Sequence, residues 1–227
     1  MENMVKSDLN FWSGKKVLIT GHTGFKGSWL MIWLRELGAE IYGFSLEPDQ
    51  NSKLFKYIFQ SKYLTDKKVN HHIGDIRDKS DLSKFVKESK PDVVFHLAAQ
   101  PLVKKGYEEP VLTWETNLIG SLNLLDELKN INKPCAVIIV TTDKVYKNNN
   151  WIYGYRELDA LGGYDPYSAS KAALEIAVSS WRDSFCINKE KISSNLKIAT
   201  ARAGNVIGGG DWADDRIVPD AIRSIIN

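Results

Sequence analysis

Tyr167 and Lys171 stand four residues apart in Tyr167-Ser168-Ala169-Ser170-Lys171, a spacing that puts both on one face of a helix. A phenol with an ordinary pKa near ~10 is a poor base at neutral pH, but a neighbouring ammonium favours the phenolate and lowers that value. Such pairs are common in any sequence, so position has to give this one its weight. It opens a helix that follows an apolar run ending in Thr141-Thr142-Asp143-Lys144. Hydroxyls and charges at the carboxyl edge of a sheet lie where α/β folds bind ligands.

A second constellation, Gly21-His22-Thr23-Gly24-Phe25-Lys26-Gly27, is Gly-x-x-Gly-x-x-Gly. It lies between an apolar run at 15–20 and a helical pattern at 28–37 carrying Trp29, Leu30, Trp33, Leu34 and Leu37. The first glycine permits a tight turn, the second lets a pyrophosphate approach the backbone, and the third allows close helix–strand packing. The helix N-terminus adds free N–H groups and a favourable dipole. A dinucleotide is therefore expected here, and an oxidised nicotinamide would favour the Tyr167 phenolate further. Tyr167 would then take the proton of a hydroxyl whose carbon gives up a hydride, with Thr142 hydrogen-bonded to the same hydroxyl.

An acid ending the second strand would read the adenosine ribose of NAD. Ser45 occupies that place, and the nearest carboxylate is Glu47. No arginine stands there to hold a 2′-phosphate, so NAD is the expected cofactor. Asp75, in Gly74-Asp75-Ile76, is either an acceptor for the adenine amino group or a helix cap or turn residue.

The elements that must hold these groups alternate. Strands are expected at 15–20, 40–45, 68–76, 91–99, 136–142 and 196–203, and helices at 28–37, 78–89, 114–128 and 168–185. Alternation of this kind gives a doubly wound parallel α/β sheet. Residues 1–203 form the dinucleotide-binding domain with the catalytic residues, and 204–227 begin a substrate-binding region.

Lys+Arg total 30 and Asp+Glu 28, a formal charge of +2, too small to argue for a nucleic-acid or membrane surface. Cys135 and Cys186 show no pairing pattern, and His71-His72 on a strand would point to opposite faces, so no metal site is expected. No apolar run reaches membrane-spanning length and no basic-then-apolar leader opens the chain. The cytoplasm is the expected location.

The order of glycine loop, His96-Leu97-Ala98-Ala99-Gln100, Thr-Asp and Tyr-x-x-x-Lys resembles the extended short-chain dehydrogenase/reductase superfamily. Longer stretches narrow the resemblance to its CDP-glucose 4,6-dehydratases. These are residues 21–30, 141–144, 162–168 and Ala201-Arg202-Ala203-Gly204-Asn205-Val206-Ile207-Gly208-Gly209-Gly210-Asp211-Trp212.

The resemblance implies a Rossmann domain that binds NAD through Gly21, Thr23, Gly24, Phe25, Lys26, Gly27, Ser45, Asp75, Ile76, Leu97, Ala98, Ala99, Thr116, Tyr167 and Lys171. It also implies an internal redox dehydration of CDP-glucose. Tyr167, tuned by Lys171 and helped by Thr142, would oxidise C4, Asp143 would protonate the departing C6 hydroxyl, and hydride would return to C6. Most 4,6-dehydratases carry glutamate as the C5 base where Lys144 stands; lysine there is typical of the CDP-glucose branch, and its alternative role is an ion pair with Asp143.

Gln100, Thr142 and Asn205 would contact the sugar nucleotide, with Asp214, Asp215 and Arg216 in the same cleft. Asn117 would support the site from behind. The helices of Asn117 and Tyr167 would form a subunit-pairing face in a homo-oligomer. Members of the resembled family continue beyond residue 227, so the substrate subdomain is expected to be incomplete. Other readings are an epimerase or 4-ketoreductase on the same scaffold, against which Asp143-Lys144 argues, and an NAD-binding module without activity.

Overall fold

A computed structural model describes residues 11–50, 53–60, 69–186 and 195–226. Six strands form one parallel sheet: β1 (Lys16–Thr20), β2 (Glu40–Ser45), β3 (Val69–Ile73), β4 (Val93–His96), β5 (Cys135–Val140) and β6 (Leu196–Ala201), in the order β3-β2-β1-β4-β5-β6. The helices are α1 (Phe25–Glu36), α2 (Lys53–Gln60), α3 (Lys79–Ser89), α4 (Val103–Glu108), α5 (Pro110–Trp114), α6 (Gly120–Leu128), α7 (Pro166–Trp181) and α8 (Ile217–Ile226). Strand order reverses between β1 and β4, and the crevice at that switch is where open α/β sheets bind ligands.

The central strands β1 and β4 are covered on both faces, which is why they read as unbroken apolar runs. Along β1, Val17 and Ile19 face a layer containing Met31 and Leu34 of α1 and Phe55 and Ile58 of α2. Leu18 faces the opposite layer, with Leu82 and Phe85 of α3, Leu124, Leu125 and Leu128 of α6, and Leu174 and Val178 of α7. Among the described residues no helix is long and apolar enough to cross a membrane.

Three departures from the expected elements have local causes. β3 stops at Ile73, not residue 76, because Asp78 already caps α3 by accepting from the Ser80 and Asp81 amides at 2.9 and 3.1 Å. The helix expected from residue 114 begins earlier, at Pro110, a residue suited to a first helical turn. It then widens into a π turn over Glu115–Ile119 before α6. β4 stops at His96, and the chain passes over the glycine loop so closely that a Cβ on Gly21 would lie 2.7 Å from the Ala98 nitrogen.

Two histidines are built into this frame as neutral groups. His96 bridges Thr20 Oγ1 at 2.6 Å and Ser121 Oγ at 2.7 Å, while the His22 ring meets His71 across β2. Burial pushes each down to about 3; for His22 the neighbouring His71 adds to the effect, and for His96 Lys171 does. Between those values and the ordinary value near ~6.5, the unfolded chain binds protons that the folded chain refuses. Stability therefore falls as pH drops through that window. The expected loss at about pH 5 is roughly 2 kcal/mol for each histidine relative to neutral pH, read from urea unfolding at the two pH values. An unchanged midpoint would contradict it.

Candidate active site

The glycine loop runs directly off β1. Gly21 adopts φ +76°, a left-handed conformation that favours glycine. A Cβ on Gly27 would lie 2.2 Å from the Gly21 carbonyl oxygen, so α1 can start only against a glycine. Gly24, the N-cap of α1, makes no side-chain cap bond, and the first helical N–H groups have no intrahelical partner. Those donors, with the open side of Gly24, fit a diphosphate.

Thr23 and Ser45 meet at the end of β2. Thr23 Oγ1 donates its one proton to the Leu46 carbonyl at 3.0 Å, so Ser45 must be the donor in the 2.7 Å Ser45–Thr23 bond. Ser45 Oγ is left with lone pairs and no proton. Asp75 is forked onto Arg77, accepting from its amide at 2.9 Å and from its guanidinium at 2.6–3.1 Å. The Arg77 bonds hold the Asp75 carboxyl below its ordinary value against the opposing pull of burial. These bonds serve the turn reading of Asp75. The Ile76 side chain packs on Gly120 in the core, so a contact from Ile76 is left to its backbone.

β5 ends at Val140, and its direction is continued by backbone bonds from Thr141 N to Ala201 O at 2.9 Å and Asp143 N to Ala203 O at 3.1 Å. Thr142 Oγ1 donates to Asp143 Oδ1 at 3.0 Å and accepts from the Lys144 amide at 3.3 Å. Opposite, α7 opens with Asp165 as N-cap, accepting from the Ser168 amide at 3.0 Å and its hydroxyl at 2.6 Å, and with Pro166 in the first turn. That start aims Tyr167 at Thr142.

Lys171, one turn on, is buried and donates to the Val140 carbonyl at 3.2 Å. Burial, then the Lys26 charge, push Lys171 down to about 8. The Tyr167 phenol is pushed up, by burial first, with the Thr142 hydroxyl and the Arg216 charge opposing. The expected lowering rests on an oxidised nicotinamide as well as an ammonium. Within the protein's own groups the desolvation of Tyr167 outweighs the Thr142 bond and the Arg216 charge.

Asn117 sits fully buried on the π turn and holds three groups. Its Oδ1 accepts from the Gln100 amide at 2.8 Å, and its Nδ2 donates to the Gln100 carbonyl at 3.1 Å and to Ser170 Oγ at 2.9 Å. The widened turn brings this amide inward, between the segment after β4 and α7. Gln100 spends both ends of its own amide internally, on Leu102 and Thr113. The expected substrate contact from the Gln100 side chain is thus replaced by a structural role. Leu97, Ala98 and Ala99 are half-buried beside the loop, and Thr116 is half-buried on the π turn. Asn117→Ala removes three buried bonds, two of them to the Gln100 amide and carbonyl, and is expected to cost about 3 kcal/mol, measured by urea unfolding. A loss below about 1 kcal/mol would contradict it.

Two adjoining cavities open at this edge. The inner one, ≈ 70 Å³, is lined by Lys26, Thr142, Lys144, Tyr167, Asn205 and Arg216 among others. The outer one, ≈ 420 Å³, shares Lys144, Asn205 and Arg216 and adds Lys104, Trp212 and Ile217. Arg216 Nε is buried with no partner among the described residues, a donor suited to an anion. Trp29 Nε1 donates to Gly209 O at 2.9 Å, tying the 204–212 stretch to α1. Sequence reasoning gave Trp29 only a helical-spacing role; the distant glycine it holds carried no local signal.

A parallel six-stranded sheet with a glycine loop after β1 and Tyr-x-x-x-Lys on the helix after β5 defines a Rossmann fold of the extended short-chain dehydrogenase/reductase type. Within that class the chain belongs to the GDP-mannose 4,6-dehydratase family, whose sequence profile matches residues 18–196. It is 47% identical over 220 residues to the CDP-glucose 4,6-dehydratase of Salmonella typhimurium, covering 97% of this chain and 60% of that relative. The chain thus spans about three fifths of that relative's length.

Among solved structures it resembles the UDP-N-acetylglucosamine 4-epimerase of Methanobrevibacter ruminantium in complex with UDP-N-acetylmuramic acid (TM-score 0.76, 26% identity, 95% of this chain and 64% of that one). It also resembles the UDP-glucose 4-epimerase of Thermus thermophilus in complex with NAD (TM-score 0.66, 28% identity, 82% and 54%).

Proposed function

We propose that the chain carries the NAD-dependent site of a CDP-glucose 4,6-dehydratase, which converts CDP-glucose to CDP-4-keto-6-deoxyglucose and water. The observation that carries this reading is the meeting of Tyr167, Thr142 and Lys144 at one cavity beside the glycine loop, with Asp143 accepting from the Thr142 hydroxyl at 3.0 Å. The 47% identity to the Salmonella relative supports the cytidine sugar.

The acceptor-only Ser45 hydroxyl supports NAD, since a ribose 2′-hydroxyl can donate to it whereas a 2′-phosphate needs donors. The first-turn amides of α1 and the Thr23–Ser45 pair would hold the dinucleotide, as the epimerase structure solved with NAD supports. NAD, when bound, supplies reversible hydride acceptance at the sugar carbons. Tyr167 takes the C4 hydroxyl proton, with Thr142 orienting the same hydroxyl. Asp143 gives a proton to the departing C6 oxygen. Lys144, on the cavity wall next to Asp143, is the group placed for the C5 proton. Arg216 and Asn205 hold the diphosphate, Arg216 through its unpartnered Nε.

Exposed Tyr107, Val111, Trp114, Ile119 and Ile176, on the neighbouring helices α4, α5 and α7 and the π turn, support self-association through this side of the molecule. The deciding experiment incubates the protein with NAD and CDP-glucose and follows the product by mass. A nucleotide sugar lighter by one water supports the reading. An isomer of unchanged mass, or no product despite NAD binding, overturns it.

A further inference from the structure

Glu175 lies one turn beyond Lys171 on α7, and its side chain is only 5% exposed. Its Oε1 accepts from the Thr141 hydroxyl, and its Oε2 accepts from Thr200 Oγ1 at 2.9 Å and from Arg202 at 3.0 Å. Three charge-assisted bonds, from β6 and from the segments after β5 and β6, therefore converge on one carboxylate. Burial would push the Glu175 carboxyl up, but the bonds from Arg202, Thr141 and Thr200 hold it below its ordinary value. Arg202 reaches further. Its second arm donates to the Glu157 carbonyl at 3.1 Å, and its guanidinium sits 4.9 Å over the Tyr146 ring, an attractive cation–π geometry. Tyr146 in turn stacks on Tyr155 at 5.0 Å.

We propose that the Glu175–Arg202 ion pair is a positioning device that grips the Thr142-Asp143-Lys144 segment at both ends. Glu175 fixes the entry through Thr141, and Arg202 fixes the exit through Tyr146. Lys171 and Glu175 act in register, since consecutive turns of α7 hold the Val140 carbonyl and the Thr141 hydroxyl. The helix that carries Tyr167 thereby also sets the height of the strand end that carries Thr142 and Asp143. Neither Glu175 nor Arg202 lines the cavities, so both act through the residues between them. A shift of about 1 Å in reacting groups costs on the order of 10²-fold in rate.

The kinetic part of the test rests on the dehydration proposed above; a second readout does not. Glu175→Ala and Arg202→Ala are each expected to lower kcat about 10- to 100-fold. KM for CDP-glucose and the NAD dissociation constant should stay within about two-fold. Glu175→Gln and Arg202→Lys, which keep an acceptor and a charge respectively, should recover part of the loss. Amide hydrogen exchange should quicken in peptides covering residues 141–146 and stay unchanged in those covering β1 to β4.

The proposal is overturned if kcat and exchange both match the unsubstituted protein. It is also overturned if kcat and NAD affinity fall and KM rises together while exchange rises across the sheet. Should the unsubstituted protein not dehydrate CDP-glucose, that reading of function fails and exchange alone decides the clamp: faster exchange confined to 141–146 upholds it, unchanged exchange sinks it. Should Glu175→Ala not fold, Thr141→Val and Arg202→Lys carry the same measurements.

Discussion

Tyr167→Phe is expected to lower the rate of dehydration about 10³-fold, within the range general acid–base groups contribute, while NAD affinity and stability stay close to the unsubstituted protein. Stability should hold because the phenol does not fasten α7. The start of that helix is held by Asp165 on Ser168, by Ser170 Oγ on the Tyr167 carbonyl at 2.7 Å, and by Lys171 on Val140. All of these survive the loss of one hydroxyl. Of the phenol's own neighbours, Thr142 lines the inner cavity and Asp143 is bonded to Thr142.

The pH profile separates this role from simple packing. Burial pushes the Tyr167 phenol up, so a base that must be ionised becomes more available as pH rises, and kcat/KM should climb with pH in the unsubstituted protein. Tyr167→Phe should flatten that limb. Full dehydration by Tyr167→Phe, with the rising limb intact, would remove Tyr167 from the reaction.

The positions of Tyr167 and the glycine loop were legible because local pattern and sheet topology act together. Apolar runs such as 17–19 and 93–96 are buried on both faces, and elements alternating along the sheet leave the carboxyl edge as the one place where Gly21, Thr142 and Tyr167 can meet. What escaped reading depends on partners distant in sequence. Leu118, Leu122 and Leu125 look like one continuous α-helix, because a single widened turn hardly disturbs their spacing. Yet that π turn is what delivers Asn117 to Gln100 and Ser170.

Gln100 has the composition of a ligand contact, but Leu102 and Thr113, brought to it by the fold, consume its amide. Glu175 reads as one more charge on a helix; its partner Arg202 lies 27 positions on, beyond any helical periodicity. The effect of burial at Tyr167 escaped reading for a related reason. Spacing shows which charges stand near a phenol, but not how much water the fold removes from it.

Gly27→Ala and Gly24→Ala should have opposite profiles, and the contrast tests whether the loop is shaped for a ligand or merely for the fold. At Gly27 an added Cβ would lie 2.2 Å from the Gly21 carbonyl oxygen and 2.7 Å from His22 Cα. Both are backbone atoms beneath a buried helix start, with no flexible side chain to yield. Relief requires α1 to lift away from β1, which breaks the packing of Met31 and Leu34 on the sheet. The expected cost is about 3 kcal/mol, toward the upper end for overpacked sites, and NAD affinity should fall more than about 100-fold as the first-turn amides lose their common aim.

At Gly24 the added Cβ meets only the Gly21 carbonyl oxygen, at 3.4 Å, an ordinary contact, so the unfolding midpoint should barely move. The methyl would instead occupy the open side where the diphosphate has to approach, and NAD binding should fall alone. Calorimetric titration with NAD and urea unfolding of the two variants give the four numbers needed. If Gly24→Ala binds NAD normally, the diphosphate does not lie over this loop. If Gly27→Ala is as stable as the parent, the close approach of α1 to β1 does not hold the loop in shape.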